Sequence, residues 1–262
     1  MNSIFHRKIL IIAVALLSLS AASVANATHS WGGYHWARTA NPFTLKLGDN
    51  VGTAWDSYLA TASLDWSKSS DLDTTVVPGG SDPRNCRPTN GRVEVCNRTY
   101  GLNGWLGVAS IWVSGSHITQ GTVKVNDSYF NTATYNTPPW RSLVMCQEIG
   151  HTFGLDHQDV NFSNANLGTC MDYTNNPSGP PTNEHPNQHD YDELGIIYSH
   201  LDGFTTIGGK ALSRGNNHSD VNTDDSSGLG RAIQKDSKGK TSLYERDLGK
   251  GERLFTFILW VE

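Results

Sequence analysis

Four polar residues within an eleven-residue run have the types and spacing of a metal site: Gln147, Glu148, His151 and His157. In a helix, positions 147 and 151 are one turn apart and face the same way. Gly154 permits a sharp turn that returns His157 toward the same point. Three ligands arranged in this way leave one position of a tetrahedral zinc ion open to water. Glu148, beside the first ligand position, is then within reach of that water.

An isolated Glu-x-x-His pair has little weight, because ordinary surface helices contain it by chance. The surrounding pattern predicts the element that positions these residues. Pro138 follows Thr137, which suits a capped helix start, and the helical pattern continues to Phe153 before Gly154 stops it. We therefore predict one helix over residues 138–153 that carries the first two ligand positions.

The remaining chain alternates between strand and helix patterns. Hydrophobic alternation predicts a strand at residues 43–47, and runs between Gly, Pro and Asn clusters predict strands at 72–77, 92–95, 105–113 and 122–125. Thr53 with Asp56 predicts a helix start, followed by one apolar face of Trp55, Tyr58, Leu59, Ala62 and Trp66. A further helix is predicted over residues 186–200, with Tyr191, Leu194, Tyr198 and Leu201 on one side.

The first 27 residues have the pattern of a secretory signal peptide. A basic start with Arg7 and Lys8 precedes an apolar run, and Ala25-Asn26-Ala27 is a small-x-small cleavage site. An uncleaved anchor is disfavoured, because the run is too short to span a bilayer. We expect a secreted protein, extracellular or periplasmic, without stable membrane association after cleavage and most simply a monomer.

The charge and the cysteines narrow the function further. Without Arg7 and Lys8, the 20 basic residues fall to 18 against 25 acidic ones, a net charge of −7 that disfavours a nucleic-acid partner. Export makes two disulfides the expected use of the four cysteines, although three pairings are possible. Cys86 with Cys96 closes a short loop, which leaves Cys146 with Cys170. A four-cysteine zinc site is disfavoured, because no two cysteines have C-x-x-C spacing.

The composition divides the chain after Leu201. Residues 28–202 form the predicted main domain, and the Gly, Ser, Asn and Asp content of residues 203–230 predicts a flexible linker. Residues 231–262 form a predicted small β-rich tail. Its run at 254–261 is β-prone and needs a partner strand for stability.

Two motifs together give the chain a family resemblance. The run from Gln147 to His157 matches H-E-x-x-H-x-x-G-x-x-H at every fixed position except the first, and Gly168-Thr169-Cys170-Met171-Asp172-Tyr173 looks like a Met-turn. Over about residues 40–202 the chain resembles the metzincin superfamily of zinc metalloproteases. It looks matrixin-like, as a variant with Gln147 in place of the first zinc-binding histidine.

The resemblance implies an α+β fold: a metzincin-like zincin domain in which a mixed twisted sheet lies over the active-site helix and Met-turn, with a small C-terminal β appendage. Met171 would form an apolar floor beneath the metal. A disulfide between Cys146 and Cys170 would join the helix to the Met-turn. An edge strand, for which residues 119–126 are the candidate, would align an extended peptide by backbone pairing.

The implied activity is that of a metalloendopeptidase acting on a peptide or protein substrate. Zn²⁺ would be held by His151, His157 and Gln147, with Glu148 as general base. Tyr173 matches a position that can help hold the developing oxyanion, and a packed Met-turn tyrosine is the equally weighted alternative. A structural Ca²⁺ is possible among the Asp- and Asn-rich loops, but no segment has the pattern of a calcium loop.

Gln147 leaves three possibilities open. Its amide oxygen, a poorer zinc donor than imidazole, could coordinate; it could bind a zinc-held water; or another residue could supply the ligand. Spare histidines are found at positions 29, 35, 117, 185 and 189, and surface or capping roles are favoured for the last two. The aromatic N-terminal segment around His29 and His35 could fold over the cleft, although a simple packing arm is favoured.

Other function classes remain at this stage. A secreted pseudoprotease would keep the fold but bind peptides or partners without cutting them. Retention of Glu148 argues against it, since a dead site has no chemical need for that residue. A carbohydrate-binding module, suggested by eight tryptophans, is weaker because many of them fall at core-like positions. No cysteine precedes the first strand closely enough to form a cysteine-switch propeptide.

Overall fold

A computed structural model describes residues 28–209 and 228–262. The predicted signal peptide and most of the predicted linker lie outside the described residues. Among those that are described, every helix is too short or too polar to cross a bilayer.

Nine strands form one mixed sheet. They are β1 (His35–Trp36), β2 (Phe43–Asn50), β3 (Leu72–Pro78), β4 (Val93–Arg98), β5 (Trp105–Ser114), β6 (His117–Asn126), β7 (Arg231–Lys235), β8 (Thr241–Gly249) and β9 (Glu252–Trp260). Their order is β3-β2-β4-β6-β5-β9-β8-β7, and β1 pairs with the start of β6. The strands β3, β2, β4 and β6 run parallel, whereas β5, β9, β8 and β7 pair antiparallel.

In the described part of the chain, four helices accompany the sheet: α1 (Asp56–Trp66), α2 (Asp127–Phe130), α3 (Pro138–His151) and α4 (Gln188–Ile197). All five strands predicted before residue 130 are confirmed, with β6 longer than expected. The three predicted helices are also confirmed, and α2 is an additional short turn. This mixture of sheet and helices is the predicted α+β class.

The helix ends differ in detail from the predictions. Residue Trp55, with no side-chain cap, precedes α1, so the cap predicted at Thr53 is wrong. Thr137 precedes α3 as predicted but makes no capping hydrogen bond. In contrast, Asn187 and Asp190 form a reciprocal capping box at the start of α4. Leu201 lies beyond α4 and is 57% exposed, which corrects its predicted place on the buried face.

The candidate substrate strand is corrected by the sheet order. Residues 119–126 belong to β6, which is paired on both sides, with β4 and with β5. An interior strand has no free backbone groups for a peptide. The antiparallel strand β5 is paired with β6 on one side and with β9 on the other.

The C-terminal strands extend the main sheet. β9 pairs with β5 from Trp105↔Trp260 to Ser114↔Glu252, and Phe255, Phe257 and Leu259 join the main hydrophobic core. The β-prone run thus obtains the partner strand that it needs. Residues 231–262, predicted as an appendage, share a core with the rest of the protein. How the chain divides into domains stays a prediction.

The N-terminal segment packs as an arm against the end of α3. Trp31 and Trp36 are buried, and their indole N–H groups donate to the carbonyls of His151 (3.1 Å) and Thr152 (2.9 Å). These bonds satisfy carbonyls that a helix end leaves without intrahelical partners. The segment therefore fixes the end of the helix that carries the candidate site.

Both expected disulfides are confirmed. Cys86 is bonded to Cys96, and Cys146 to Cys170. The second bond joins α3, at the residue before Gln147, to the segment of Met171. The described residues contain no free cysteine.

Candidate active site

The two histidines of the motif converge on one point. The Nε2 atoms of His151 and His157 are 3.0 Å apart, and Gly154, with φ of 106°, makes the turn between them. The left-handed region suits glycine, as the sequence predicted. Two nitrogen ligands of a tetrahedral zinc ion are separated by about 3.3 Å, given Zn–N bonds of roughly 2.0–2.1 Å. The observed spacing therefore fits a shared metal ion.

The His151 ring is held in the state that a metal ligand requires. Its Nδ1 lies 2.9 Å from the carbonyl oxygen of Leu155, which only accepts, so Nδ1 carries the proton. Burial and the nearby His157 lower the pKa of His151 well below its usual range. The ring is consequently neutral, and its Nε2 lone pair points toward His157. A backbone carbonyl on the other ring nitrogen is the usual partner of a metal-bound histidine.

The amide nitrogen of Gln147 has a hydrogen-bond partner, whereas its amide oxygen has none among the described residues. Its Nε2 donates to the carbonyl of Cys170 at 2.7 Å, whereas its buried Oε1 has no hydrogen-bond partner among the described residues. Because the Cys170 carbonyl can only accept a hydrogen bond, the amide atom that faces it must be the nitrogen. The orphaned oxygen is the atom that a metal would need, because an unpaired buried acceptor is otherwise costly.

Glu148 is fully buried beside these ligands. Neither carboxylate oxygen makes a hydrogen bond of good geometry within the described residues. Burial raises the pKa of Glu148 well above its usual range, and the backbone N–H of Ala109 opposes part of that increase. A strongly perturbed carboxyl group beside convergent histidines is typical of a functional site.

Asp156 supports the second histidine. Its Oδ1 is 3.3 Å from Nδ1 of His157, and its Oδ2 accepts a 2.6 Å hydrogen bond from Nε2 of Gln234 in β7. Burial alone would raise the pKa of Asp156, but hydrogen bonding and the charge of His157, together with the Gln234 amide, lower it to about 2. The backbone N–H of His157 also donates to Oδ1 of Asp156 at 2.8 Å, so a carboxylate lies against this residue.

The two remaining predicted site residues lie next to this group. Met171 is fully buried, and its sulfur would be 2.6 Å from a Cβ added to Gly150 of α3. The Tyr173 ring lies 4.4 Å from that of His157, and its hydroxyl donates to the carbonyl of Ile258 at 3.4 Å. Burial raises the pKa of the Tyr173 hydroxyl well above its usual range, so this group stays protonated and can donate a hydrogen bond at neutral pH.

Strand β9 covers the site. The Phe257 ring stacks on the His151 ring, with centroids 4.0 Å apart and planes 9° from parallel, and Phe257 pairs with Ala109 across β5 and β9. The ring of Phe257 is itself fully buried. A peptide cannot reach His151 or the β5 edge while β9 occupies them.

Gly107 in β5 is needed for the close approach of α3. A Cβ at this position would meet Oε1 of Glu148, and would lie 2.7 Å from both its Cγ and Cγ1 of Val144. Gly107 and Phe257 are site residues that the sequence analysis missed. The β-prone run at 254–261 was the only signal for Phe257, and it did not indicate which strand it would join.

The spare histidines do not reach the site. His29 is 3.1 Å from Asp190 and stacks on His189, while His185 is 2.6 Å from Asp65. His35 and His117 pair in register between β1 and β6. None of them replaces the missing histidine ligand, so Gln147 is the ligand candidate that remains from the sequence analysis.

Comparison with known proteins gives weak similarities only. No protein-family model matches the chain, and no curated protein matches its sequence. Two structures of myroilysin are similar to it, with 12% and 14% identity and TM-scores of 0.37 and 0.33; they cover 63% and 70% of this chain, and 96% and 98% of their own.

A structure of high choriolytic enzyme 1, a hatching-enzyme zinc protease from the medaka Oryzias latipes, is also similar, with 10% identity, a TM-score of 0.33 and coverage of 64% of this chain and 96% of its own. Because all three TM-scores lie below 0.5, we base no conclusion on them. The metzincin family therefore stays a prediction.

Proposed function

We propose that this protein is a secreted zinc-dependent endopeptidase whose substrate position is occupied by its own strand β9. The observation that carries this proposal is the pairing of β9 with β5. An extended chain lies antiparallel along β5, directly above the convergent histidines and the buried Glu148. A peptide substrate bound by β-augmentation would have the same backbone arrangement.

Zinc would be held by Nε2 of His151, Nε2 of His157 and Oε1 of Gln147. The fit rests on the 3.0 Å separation of the two nitrogens and on the orphaned amide oxygen. When bound, the ion supplies a Lewis acid that polarises a carbonyl and lowers the pKa of water toward about 7. Two histidines and one neutral amide form a weaker ligand set than three histidines.

Glu148 would serve as the general base. Its carboxylate accepts a proton from the attacking water as the water oxygen bonds to the scissile carbonyl carbon. The same proton then passes to the amine nitrogen when the C–N bond breaks. Burial strengthens the group as a base, because the charged carboxylate is poorly solvated at this position.

Tyr173 would stabilise charge on the carbonyl oxygen. Its hydroxyl donates at present to the Ile258 carbonyl of β9, a backbone carbonyl of the strand in the peptide position. A substrate carbonyl presented there would meet the same donor. The protonated state of Tyr173, favoured by burial, suits this role.

A pseudoprotease is the second candidate. Two observations favour it: the donation of the Gln147 amide to Cys170, and the close stacking of Phe257 on His151. Under this alternative β9 would close the site permanently, and the protein would act only by binding.

The experiment compares peptide hydrolysis by the zinc-loaded full-length chain and by Phe257→Ala. We expect wild type to be slow, and Phe257→Ala to be at least about tenfold faster, because loss of the stacked ring loosens β9 over the site. Val76→Ala is the control for the loss of a partly exposed apolar side chain, since Val76 is 38% exposed and lies on β3, at the opposite end of the sheet from β7. Glu148→Gln in the Phe257→Ala background should abolish the gain.

The alternatives give different results. Zinc-loaded, folded Phe257→Ala that cleaves no member of a diverse peptide library would support the pseudoprotease. Full activity in Glu148→Gln would contradict the proposed base. If wild type already cleaves as fast as Phe257→Ala, β9 is not inhibitory although the peptidase assignment stands.

A further inference from the structure

A second group of metal-binding side chains lies at another place in the fold. It consists of His35, His117, His200 and Asp202, hereafter the His35 cluster. His35 and His117 pair in register where β1 joins β6, and the other two follow α4. Ligand atoms of His35, His200 and Asp202 all lie within 4.8 Å of one another.

The distances in the His35 cluster resemble those around a tetrahedral ion. Nε2 of His35 is 3.2 Å from Nε2 of His200 and 3.5 Å from Oδ1 of Asp202. Nε2 of His200 is 3.9 Å from the same oxygen, and Nε2 of His117 is 3.1 Å from it. Ligands of tetrahedral zinc are about 3.3 Å apart for bonds of roughly 2.0–2.1 Å. The ligand atoms of His35, His200 and Asp202 are therefore close to the spacing that zinc requires, and His117 lies outside this group of three.

Hydrogen bonding at His35 fixes the position of its proton. Its Nδ1 is 3.0 Å from the carbonyl oxygen of Gly33, so Nδ1 carries the proton. In the neutral ring the Nε2 lone pair then faces both the Asp202 carboxylate and the Nε2 of His200. This lone pair can accept an N–H from His200 or bind a metal ion. His35 is only 4% exposed.

Asp202 is positioned from the opposite side. Its Oδ2 accepts hydrogen bonds from the backbone N–H (3.1 Å) and Nη1 (3.2 Å) of Arg38. Its Oδ1 is thereby directed at the three imidazoles. One carboxylate oxygen is held by Arg38 and the other faces the imidazoles. A metal-binding carboxylate with an outer-sphere hydrogen-bond partner has the same arrangement.

We propose that the His35 cluster binds one divalent transition-metal ion of the zinc class, through His35, His200 and Asp202, with water in the fourth position and His117 in contact with the Asp202 carboxylate. Two imidazoles and one carboxylate oxygen are donors that zinc accepts. The proposal is independent of the peptidase assignment. The rival explanation is a proton in place of the metal, shared within a hydrogen-bonded network.

A metal here would fasten the N-terminal segment to the body of the protein. His35 precedes Trp36, whose indole N–H donates to Thr152 at the end of α3. The other two ligands, His200 and Asp202, belong to the chain after α4. One ion would therefore connect two segments that are distant in sequence.

The test counts zinc in the full-length chain by elemental analysis after zinc loading and dialysis against metal-free buffer. We expect wild type to contain one zinc per chain more than His200→Ala. His200 is the best position for the change, because its side chain is 56% exposed and its loss leaves little unfilled volume. Competition with a zinc chelator should show more than about tenfold weaker binding at this site, since even outer-sphere changes cost that much.

His185→Ala is the matched control. The side chain of His185 is 51% exposed and also lies against a carboxylate, that of Asp65. This variant therefore shows the effect of removing an exposed histidine from a carboxylate outside the His35 cluster. It should retain the wild-type zinc content. His151→Ala removes a ligand of the other site and should still bind zinc at the His35 cluster, which separates this proposal from the peptidase assignment.

Two further measurements keep the test decisive. His200→Gln provides a second variant if His200→Ala folds poorly, and should lose the same zinc ion. Co²⁺ bound to His151→Ala should give the visible absorption of a tetrahedral nitrogen and oxygen site, which His151→Ala combined with a His200 substitution lacks. Equal zinc content and equal thermal stabilisation by zinc in wild type and folded His200 variants would overturn the proposal in favour of the protonated network.

Discussion

At the scale of single residues, the decisive position is Gln147. Its amide orientation follows from the hydrogen bond to Cys170, which leaves Oε1 buried without a partner. The sequence predicted a zinc ligand at position 147, where the glutamine amide is a poorer zinc donor than imidazole. The structure supplies a reason for the glutamine, because the amide nitrogen joins α3 to the Met171 segment while the oxygen stays available.

Gln147→His should bind zinc at least about tenfold more tightly, a gain of 1.4 kcal/mol, because imidazole is a better zinc donor than an amide oxygen. Without zinc the same variant should lose about 1 kcal/mol of unfolding free energy, if its new ring cannot replace the hydrogen bond to Cys170. Chelator competition and urea unfolding measure the two effects. Gln147→Leu, which keeps the volume but no donor atom, is the control; unchanged zinc affinity in that variant would show that Gln147 is not a ligand.

At the scale of elements, the site depends on how closely α3 approaches β5. The helix carries Gln147, Glu148 and His151 on the side that faces the sheet, and Gly107 leaves room for the glutamate. The sequence predicted both elements with nearly correct bounds. Their contact was not predictable, because an alternation pattern indicates a buried face without identifying the element against which it packs.

Gly107→Ala should lower the unfolding free energy by about 1–3 kcal/mol, the usual cost of overpacking a core. The added methyl group would overlap the Glu148 side chain and Val144, so peptide hydrolysis in the Phe257→Ala background should also fall. Gly121→Ala on β6 is the matched control, because its nearest contact, with Cγ2 of Val93, is 3.2 Å and an added methyl group would need only a small shift. Equal losses in the two variants, measured by urea unfolding, would contradict a specific role for Gly107.

At the scale of the whole molecule, the C-terminal strands and the motif form one structure. Besides β9 on β5, Gln234 of β7 binds Asp156, which in turn contacts His157. The turn that carries a predicted ligand is therefore bonded to a strand nearly eighty residues later. Any opening of the site must break this contact as well as the β5–β9 pairing.

The Asp156 contact makes part of the stability dependent on pH. The pKa of Asp156 is about 2 in the folded protein, below its ordinary value of 3.8, so folding favours the charged carboxylate. The contribution is complete above about pH 4 and is lost as the pH falls toward 2. At pH 6 wild type should exceed Asp156→Asn by up to about 2 kcal/mol of unfolding free energy, and the difference should shrink on acidification over that range.

Urea unfolding of both proteins between pH 6 and pH 2.5 measures this difference. Asp192→Asn, which changes an exposed carboxylate on α4, controls for the general effect of removing a negative charge. A difference between wild type and Asp156→Asn that stays constant across the range would show that Asp156 contributes through shape and not through its charge.

The sequence by itself was enough to predict the local structure and the kind of site that its polar residues could form. Periodicity and turn residues indicated the strands before residue 130, the helix of the motif and the glycine turn at Gly154, because these depend on neighbours along the chain. The donor types at positions 147, 151 and 157 indicated a metal site for the same reason. Export and the cysteine count predicted two disulfides, and the structure confirms the expected pairings of Cys86 with Cys96 and of Cys146 with Cys170.

Only the tertiary structure decided what surrounds that chemistry. The predicted peptide strand proved to be interior, β5 proved to be paired with β9, and Phe257 covers His151. Strand partners far apart in sequence are selected by the fit of whole faces, which no local pattern records. The same holds for the His35 cluster, whose members come from three distant segments and become neighbours only after the sheet and α4 have assembled.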